Sequence, residues 1–322
     1  MAGERRLEGT PPTEANSALG IAFPLGQLRQ LVAAMRPRQW AKNLLLYLAF
    51  FFTLGQHTSD GFVNELSLFG EATLGFLLFC LLSGATYIVN DVLDLEADRL
   101  HPTKQHRPLA AGRLSPTFAL IGAAIMASVA VAFAFVLDAG FGVASVGYLA
   151  VILAYNLGLK NMVILDVMAV ASGFVLRAAA GALVIGVPIS PWLYVMTSLG
   201  ALLISLGKRR HELATLGATG SSHRRVLEDY STAFLDQLVA IVAPATLVAY
   251  TLYTFTAENL PADNTMMLTI PFVLYGIFRY LFLIHRRNLG GSPEEIFLTD
   301  RPMLINILLW LATASGILLY AR

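Results

Sequence analysis

Four residues of the chain, Asn90, Asp91, Asp94 and Asp98, carry its densest chemistry. On a helix turning about 100° per residue, positions 91, 94 and 98 fall at about 0°, 300° and 340°, whereas Glu96 points well away. Three carboxylates spaced i, i+3 and i+7 repel one another, and near a membrane boundary that repulsion is poorly screened unless a cation sits among them. Oxygen-only ligands suit Mg2+, which keeps several waters and is completed by substrate phosphates. A solvated helix end capped by acids is the plainer reading, but negative charge at a helix C-terminus opposes the helix dipole. Asp91, Asp94 and Asp98 are therefore expected to be the metal ligands and the catalytic groups, with Asn90 in support.

Cations gather around these acids in sequence or in the membrane. Arg99, Lys104 and Arg107 follow them directly, and Lys42 and Asn43 lie in "MRPRQWAKN". Tyr155, Lys160 and Asp166 lie in "YNLGLKNMVILD", and Lys208, Arg209, Arg210 and Glu212 lie in "SLGKRRHELATLG". Each Lys or Arg can donate charge-assisted hydrogen bonds to phosphate oxygens. The run 208–210 reads equally well as a topology anchor, and Arg36 and Arg38 read as topology signals or headgroup contacts. Arg177 stands apart, near the middle of an apolar stretch, where an unpaired charge costs roughly 2.5–3.5 kcal/mol on insertion scales. It is expected in a water-filled cavity, on the same helix face as Asp166 but ~16 Å along the axis and beyond salt-bridge reach. No Ser/His/Asp or Cys/His arrangement is evident; His101, His106, His211, His223 and His285 read as loop or interface residues. The one cysteine, Cys80, lies inside an apolar run, which excludes an internal disulfide or a cysteine metal site.

The elements that must position these groups are membrane helices. The chain has 322 residues, 56% hydrophobic and 13% charged, with a mean hydropathy of +0.65, far from the roughly 25% charged residues of soluble domains. Apolar runs near the ~20 residues that cross a bilayer fall at about 41–57, 70–89, 116–137, 140–158, 162–186, 190–207, 234–257, 266–285 and 303–321. The expectation is an all-α polytopic bundle of nine spans, forming a single domain over 25–322. Residues 1–24 read as a disordered tail without a cleavable signal, and 25–40 as a helix lying in the interface. The odd-numbered connections, 57–70, 137–141, 187–190 and 257–266, contain no Lys or Arg, so the N-terminus is expected in the cytoplasm and the C-terminus outside. The net charge of +1 gives no basis for a nucleic-acid partner.

The stretch from Asn90 to Asp98 resembles the NDxxDxxxD motif of the UbiA superfamily of intramembrane prenyltransferases, and "HRPLAAGRLS" (106–115) resembles the RPLxxGxxS that follows it there. The resemblance extends over nearly the whole chain from Arg36. It implies nine helices capped by a cytoplasmic active site that uses Mg2+ to draw diphosphate from a donor. Aromatic prenyltransferases of the family carry a second aspartate-rich motif after helix 6, where this chain has three cations and Glu212; Asp229 and Asp236 lie farther along. Together with Lys160, Asp166, Arg177 and the late "DRPML" (300–304), this is similar to the branch of the family, found in mycobacteria and corynebacteria, that acts on decaprenyl phosphate.

That branch transfers a 5-phosphoribosyl group from 5-phosphoribosyl 1-diphosphate to a polyprenyl phosphate lipid, supplying the ribose of cell-wall arabinan in the plasma membrane. Three anionic groups must then converge, which accounts for a surplus of cations. The resemblance assigns Arg99, Lys104 and Arg107 to the donor phosphates. Lys42, Asn43, Tyr155, Lys160, Asp166, Arg177, Lys208, Arg209, Arg210 and Glu212 would serve the remaining substrate contacts. The lipid tail is expected along the glycine-bearing faces of spans 3 to 5, which close helix packing explains equally well. The alternatives are an aromatic prenyltransferase using polyprenyl diphosphate and an ion-coupled transporter; the latter needs mid-membrane polar groups in several broken helices.

Overall fold

The computed structural model describes residues 26–53, 61–189, 191–219, 225–257, 260–287, 291, 296–297 and 299–320. The tail over 1–24 lies outside them. All regular structure among the described residues is helical.

Helix α1 (26–34) is tied to the loop ahead of α5 (Pro116–Leu137): Gln27 accepts from the Ser115 N–H at 2.9 Å and donates to the Arg113 carbonyl at 3.2 Å. Its Leu31, Ala34 and Met35 are buried against Ala85, Ile88, Leu109 and Leu114. The helix ends before Pro37, sooner than the expected 25–40, because a residue preceding proline is pushed out of the α region. Arg36 takes up φ 54°, ψ 68°, a left-handed conformation that costs a non-glycine residue about 1–2 kcal/mol.

A 3₁₀ segment, Pro37–Leu46, follows, then α2 (Tyr47–Thr53). The expected first span is thus broken at Leu46, and 54–57 lie outside the described residues. The 3₁₀ segment holds its shape against α7 (Leu165–Val184), where the absence of a side chain at Gly181 admits the Leu46 carbonyl: a Cβ there would stand 2.1 Å from that oxygen.

The long α3 (Gly61–Leu93) is followed by the short α4 (Leu95–Leu100). Next come α5, α6 (Ala139–Leu157), α7, α8 (Pro191–Thr219), α9 (Thr232–Thr256), α10 (Ile270–Arg286) and α11 (Arg301–Tyr320). Local chemistry sets several starts. Asp138 accepts from the Phe141 N–H at 2.7 Å, Ser231 from Phe234 at 3.1 Å and Asp300 from Met303 at 3.0 Å, each occupying an orphan donor of a first turn.

Among the described residues seven helical segments are long and apolar enough to cross a membrane: Asn64–Leu93, Pro116–Leu137, Ala139–Leu157, Leu165–Val184, Thr232–Thr256, Thr265–Arg286 and Arg301–Tyr320. The expected sixth span falls in α8. That helix runs on through Lys208, Arg209, Arg210 and Glu212, which the sequence placed in a connection.

Helix α7 is the centre of the bundle, packing against α2, α3, α6, α8 and the 3₁₀ segment. Outward on α5, Ile125, Phe133 and Val136 stay exposed, as suits contact with lipid tails. Several glycines of spans 3 to 5 are closely covered by neighbouring side chains or backbone. Gly122 lies against Leu31, Gly142 against Phe135 and Gly181 against Leu46, so close packing accounts for these three.

Candidate active site

Asp91 lies in the last turn of α3, Asp94 sits at the break before α4 with φ −95° and ψ 10°, and Asp98 lies on α4. The break does not lose the helical register. The Asp94 N–H donates to the Asn90 carbonyl at 2.9 Å and the Asp98 N–H to the Asp94 carbonyl at 2.8 Å. Asp91 and Asp98, both 2% exposed, consequently share a face.

Four cations converge on the three acids. Arg107 Nη1 bridges Asp91 Oδ1 (3.1 Å) and Asp98 Oδ2 (2.5 Å). Arg36 also pairs with Asp91, and Lys104 Nζ stands 3.8 Å from Asp98 Oδ1. Asp94 turns the other way, to Lys160 Nζ at 2.8 Å. Arg99 does not join them; it pairs with Glu96 on the exposed side of α4 at 2.9 Å.

Among the described residues no group of three or more His, Cys, Asp or Glu side chains stands close enough to hold a metal. The three acids therefore do not form a closed site. Asp91 and Asp98, however, already place oxygens within 3.1 and 2.5 Å of one cationic nitrogen. A position between two carboxylates that carries positive charge, with oxygen donors only, fits Mg2+ completed by water and phosphate.

A second network lies on the far side of the connection 158–164. Asp166 is fully buried and receives Arg209 Nε at 2.5 Å and the Tyr230 hydroxyl at 2.8 Å. Arg209 also pairs with Glu212 and donates to the Tyr155 hydroxyl at 3.3 Å. Burial works against the Arg209 charge, but Glu212, Tyr155 and Asp166 outweigh it and raise its pKa. Burial lifts the Tyr230 hydroxyl to about 12, so it remains a donor to Asp166.

The same Tyr230 oxygen accepts from the Ile164 N–H at 2.8 Å. Ile164 is the centre of a γ-turn, at φ 71° and ψ −47°, closed by the Leu165 N–H on the Val163 carbonyl at 2.8 Å. This strained turn for a β-branched residue separates Lys160 of the first network from Asp166 of the second.

The three consecutive cations do not act together. On a helix, successive side chains diverge by about 100°. Arg209 points inward, Arg210 reaches Asp236 at 2.6 Å and the Ile284 carbonyl at 3.1 Å, and Lys208 is exposed. Asp236 is thus occupied by Arg210, and also by His285 at 3.2 Å; Asp229 is exposed.

Arg177 is 4% exposed and packed into protein rather than facing a water-filled cavity. Its Nε donates to Asn43 Oδ1, Nη1 to the Gly173 carbonyl and Nη2 to the Tyr148 hydroxyl, each at 2.8 Å. The guanidinium also lies 4.6 Å from the Tyr148 ring centre. Asn43, fully buried, thereby fixes the 3₁₀ segment next to Lys42. Lys42 lines a mostly apolar cavity of about 460 Å3, whose walls include Leu45, Leu48, Phe174, Ile204 and Phe297.

Arg36, Tyr148 and Tyr230 were not expected in these networks. The proline after Arg36 was the one available signal; the tyrosines have none, since their partners are distant in sequence.

The family model of the UbiA prenyltransferase family matches residues 31–207, and the chain belongs to that family. It is 34% identical over 309 residues to a decaprenyl-phosphate phosphoribosyltransferase of Mycolicibacterium smegmatis, covering 92% of this chain and 95% of that one. It is 33% identical over 285 residues to a protein of the same description from Corynebacterium glutamicum, covering 87% and 84%. In fold it is similar to a UbiA homolog from Archaeoglobus fulgidus bound to GPP and Mg2+, with a TM-score of 0.67, 20% identity, and coverage of 90% of this chain and 99% of that one.

Proposed function

We propose that the protein transfers the 5-phosphoribosyl group of 5-phosphoribosyl 1-diphosphate to a polyprenyl phosphate, with decaprenyl phosphate as the physiological acceptor, and releases diphosphate. The observation that carries this reading is the neutralised acid cluster: Asp91, Asp94 and Asp98 held by Arg36, Lys104, Arg107 and Lys160. Such a cluster can exchange partners, its cations passing to phosphate oxygens as the acids take up a metal.

Asp91 and Asp98 would hold Mg2+, which supplies charge neutralisation for the departing diphosphate. Arg107 and Lys104, beside them, are placed to take the donor's diphosphate oxygens, and Lys160 to take its 5-phosphate. Lys42, in the lining of the mostly apolar cavity, is assigned the lipid phosphate. Arg177 and Asn43 position Lys42, and the Asp166–Arg209–Glu212 network with Tyr155 and Tyr230 fixes the connection that carries Lys160. The acceptor phosphate is ionised at neutral pH, so its attack on the ribose carbon needs no general base. The ribose acquires oxocarbenium character as the diphosphate leaves, and the surrounding fixed charges stabilise that state.

The chain is proposed to cross the plasma membrane nine times, the 3₁₀ segment with α2 and the apolar half of α8 adding to the seven evident spans. Its N-terminus and active site would face the cytoplasm and its C-terminus the outside. The direct test is release of diphosphate from labelled 5-phosphoribosyl 1-diphosphate by purified protein. Release should require both polyprenyl phosphate and Mg2+; an equal rate without the lipid counts against the reading.

A further inference from the structure

We propose that Gly200 governs which acceptor chain lengths the protein uses, because it marks the junction through which the isoprenoid tail passes from one apolar cavity into a second. The inference rests on the polyprenyl-phosphate reading above. The first cavity is the one that Lys42 lines. The second, about 250 Å3, lies among α8, α9, α10 and α11, with Thr246, Gly276 and Asn306 in its wall. Gly200, Ile204 and Phe297 line both.

Gly200 differs from the packing glycines. A Cβ at Gly181 or Gly142 would stand 2.1 or 2.4 Å from a neighbour, whereas at Gly200 it would meet nothing within 4 Å. The missing side chain is not demanded by helix contact. What it leaves is open space at a residue that lines both cavities. Phe297, which also lines both cavities, is held in place by stacking on Tyr280, with ring centres 6.3 Å apart and planes 9° from parallel.

The occupant must be largely apolar along its length and anionic at one end, because Lys42 is the charged residue of a lining that is otherwise apolar apart from Thr197 and Tyr250. A cavity of about 460 Å3 lies in the range, roughly 300–1,000 Å3, that encloses a compact small ligand. A decaprenyl tail is longer than such a space holds. It must continue, and the junction at Gly200 leads to the adjoining apolar space.

The experiment compares phosphoribosyl transfer to decaprenyl phosphate and to an acceptor of two isoprene units, in the unmodified protein and in Gly200→Leu. The substitution should lower the long-to-short rate ratio at least tenfold, while Gly70→Leu, also in open space but lining neither cavity, leaves it unchanged. An unchanged ratio in Gly200→Leu, or equal losses with both acceptors, overturns the inference. If Gly200→Leu does not fold, Gly200→Cys supplies the readout: decaprenyl phosphate should slow alkylation of the new thiol at least fivefold and the short acceptor should not. Equal protection by both, or by neither, overturns the inference. Should the unmodified protein transfer phosphoribose to neither acceptor, the polyprenyl-phosphate reading itself fails, an outcome separate from a ratio that does not move.

Discussion

Replacing Arg177 by Met removes a charge from the middle of α7 and, with it, three hydrogen bonds of 2.8 Å to Asn43, Gly173 and Tyr148. Two opposing terms decide the outcome. Losing the charge favours membrane insertion by roughly 2.5–3.5 kcal/mol. Against that, the buried Asn43 oxygen loses its donor at about 1–3 kcal/mol, and the cation–π contact with Tyr148 forfeits about 0.5–2 kcal/mol. The terms nearly cancel, so Arg177→Met should insert as well as the unmodified protein and melt within a few degrees of it. Activity should not survive, because Asn43 no longer fixes the 3₁₀ segment beside Lys42, and a displacement near 1 Å costs on the order of 100-fold. Arg177→Lys keeps the charge but cannot make all three bonds, and should recover less than a tenth of the activity. Folded yield, thermal melting and kcat/KM per folded molecule, measured in parallel, separate these effects. Full activity in Arg177→Met, or a collapse of folded protein with normal activity in what remains, would refute the reasoning.

Asp91→Ala, Asp94→Ala and Asp98→Ala should each abolish Mg2+-dependent turnover without unfolding the protein, whereas Glu96→Ala, at an exposed position paired with Arg99, should retain most of it. Stripping divalent ions with a chelator should stop turnover and added Mg2+ restore it; unaltered rates in chelator would remove the metal from the account. Arg209→Ala should destabilise the protein by about 3–5 kcal/mol in an unfolding titration, since it leaves the buried Asp166 without its cation, while Lys208→Gln should change neither stability nor rate. Tyr230→Phe deletes the donor to Asp166 and the acceptor of the Ile164 N–H, which should lower stability by about 1.5–3 kcal/mol and reduce kcat; an unchanged melting profile would contradict that role.

Much of the fold was legible from hydrophobicity because a span must satisfy its backbone internally and face lipid. The run at 116–137 coincides with α5, Pro116–Leu137, and, the end of α8 apart, the later helices lie within a few residues of their apolar runs. The start of the chain was less legible. The 3₁₀ segment depends on Gly181 and on the Arg177–Asn43 bond, contacts about 135 residues away in sequence. The end of α8 was misread for a related reason: Lys208 to Glu212 resembles a cytoplasmic connection, but Asp166 and Asp236 neutralise Arg209 and Arg210, and the helix continues. In the site, the carboxylate face at 91 and 98 followed from helical spacing alone, and the i, i+3 step identified Asp94 but not its turn toward Lys160. Arg36 escaped because its contribution depends on a left-handed backbone that places the guanidinium on Asp91.

The central claim is the choice of donor and acceptor, which Arg209 bears on most closely: it occupies Glu212, the acid that stands where a second aspartate-rich motif would lie, and Asp166 as well. One measurement tests it: purified protein with Mg2+ is given labelled 5-phosphoribosyl 1-diphosphate and polyprenyl phosphate, and in parallel polyprenyl diphosphate and an aromatic acid. The account predicts a labelled phosphoribosyl lipid in the first mixture and no prenylated aromatic in the second. Prenylation of the aromatic acid, with no labelled lipid formed, would contradict it and leave only membership of the family.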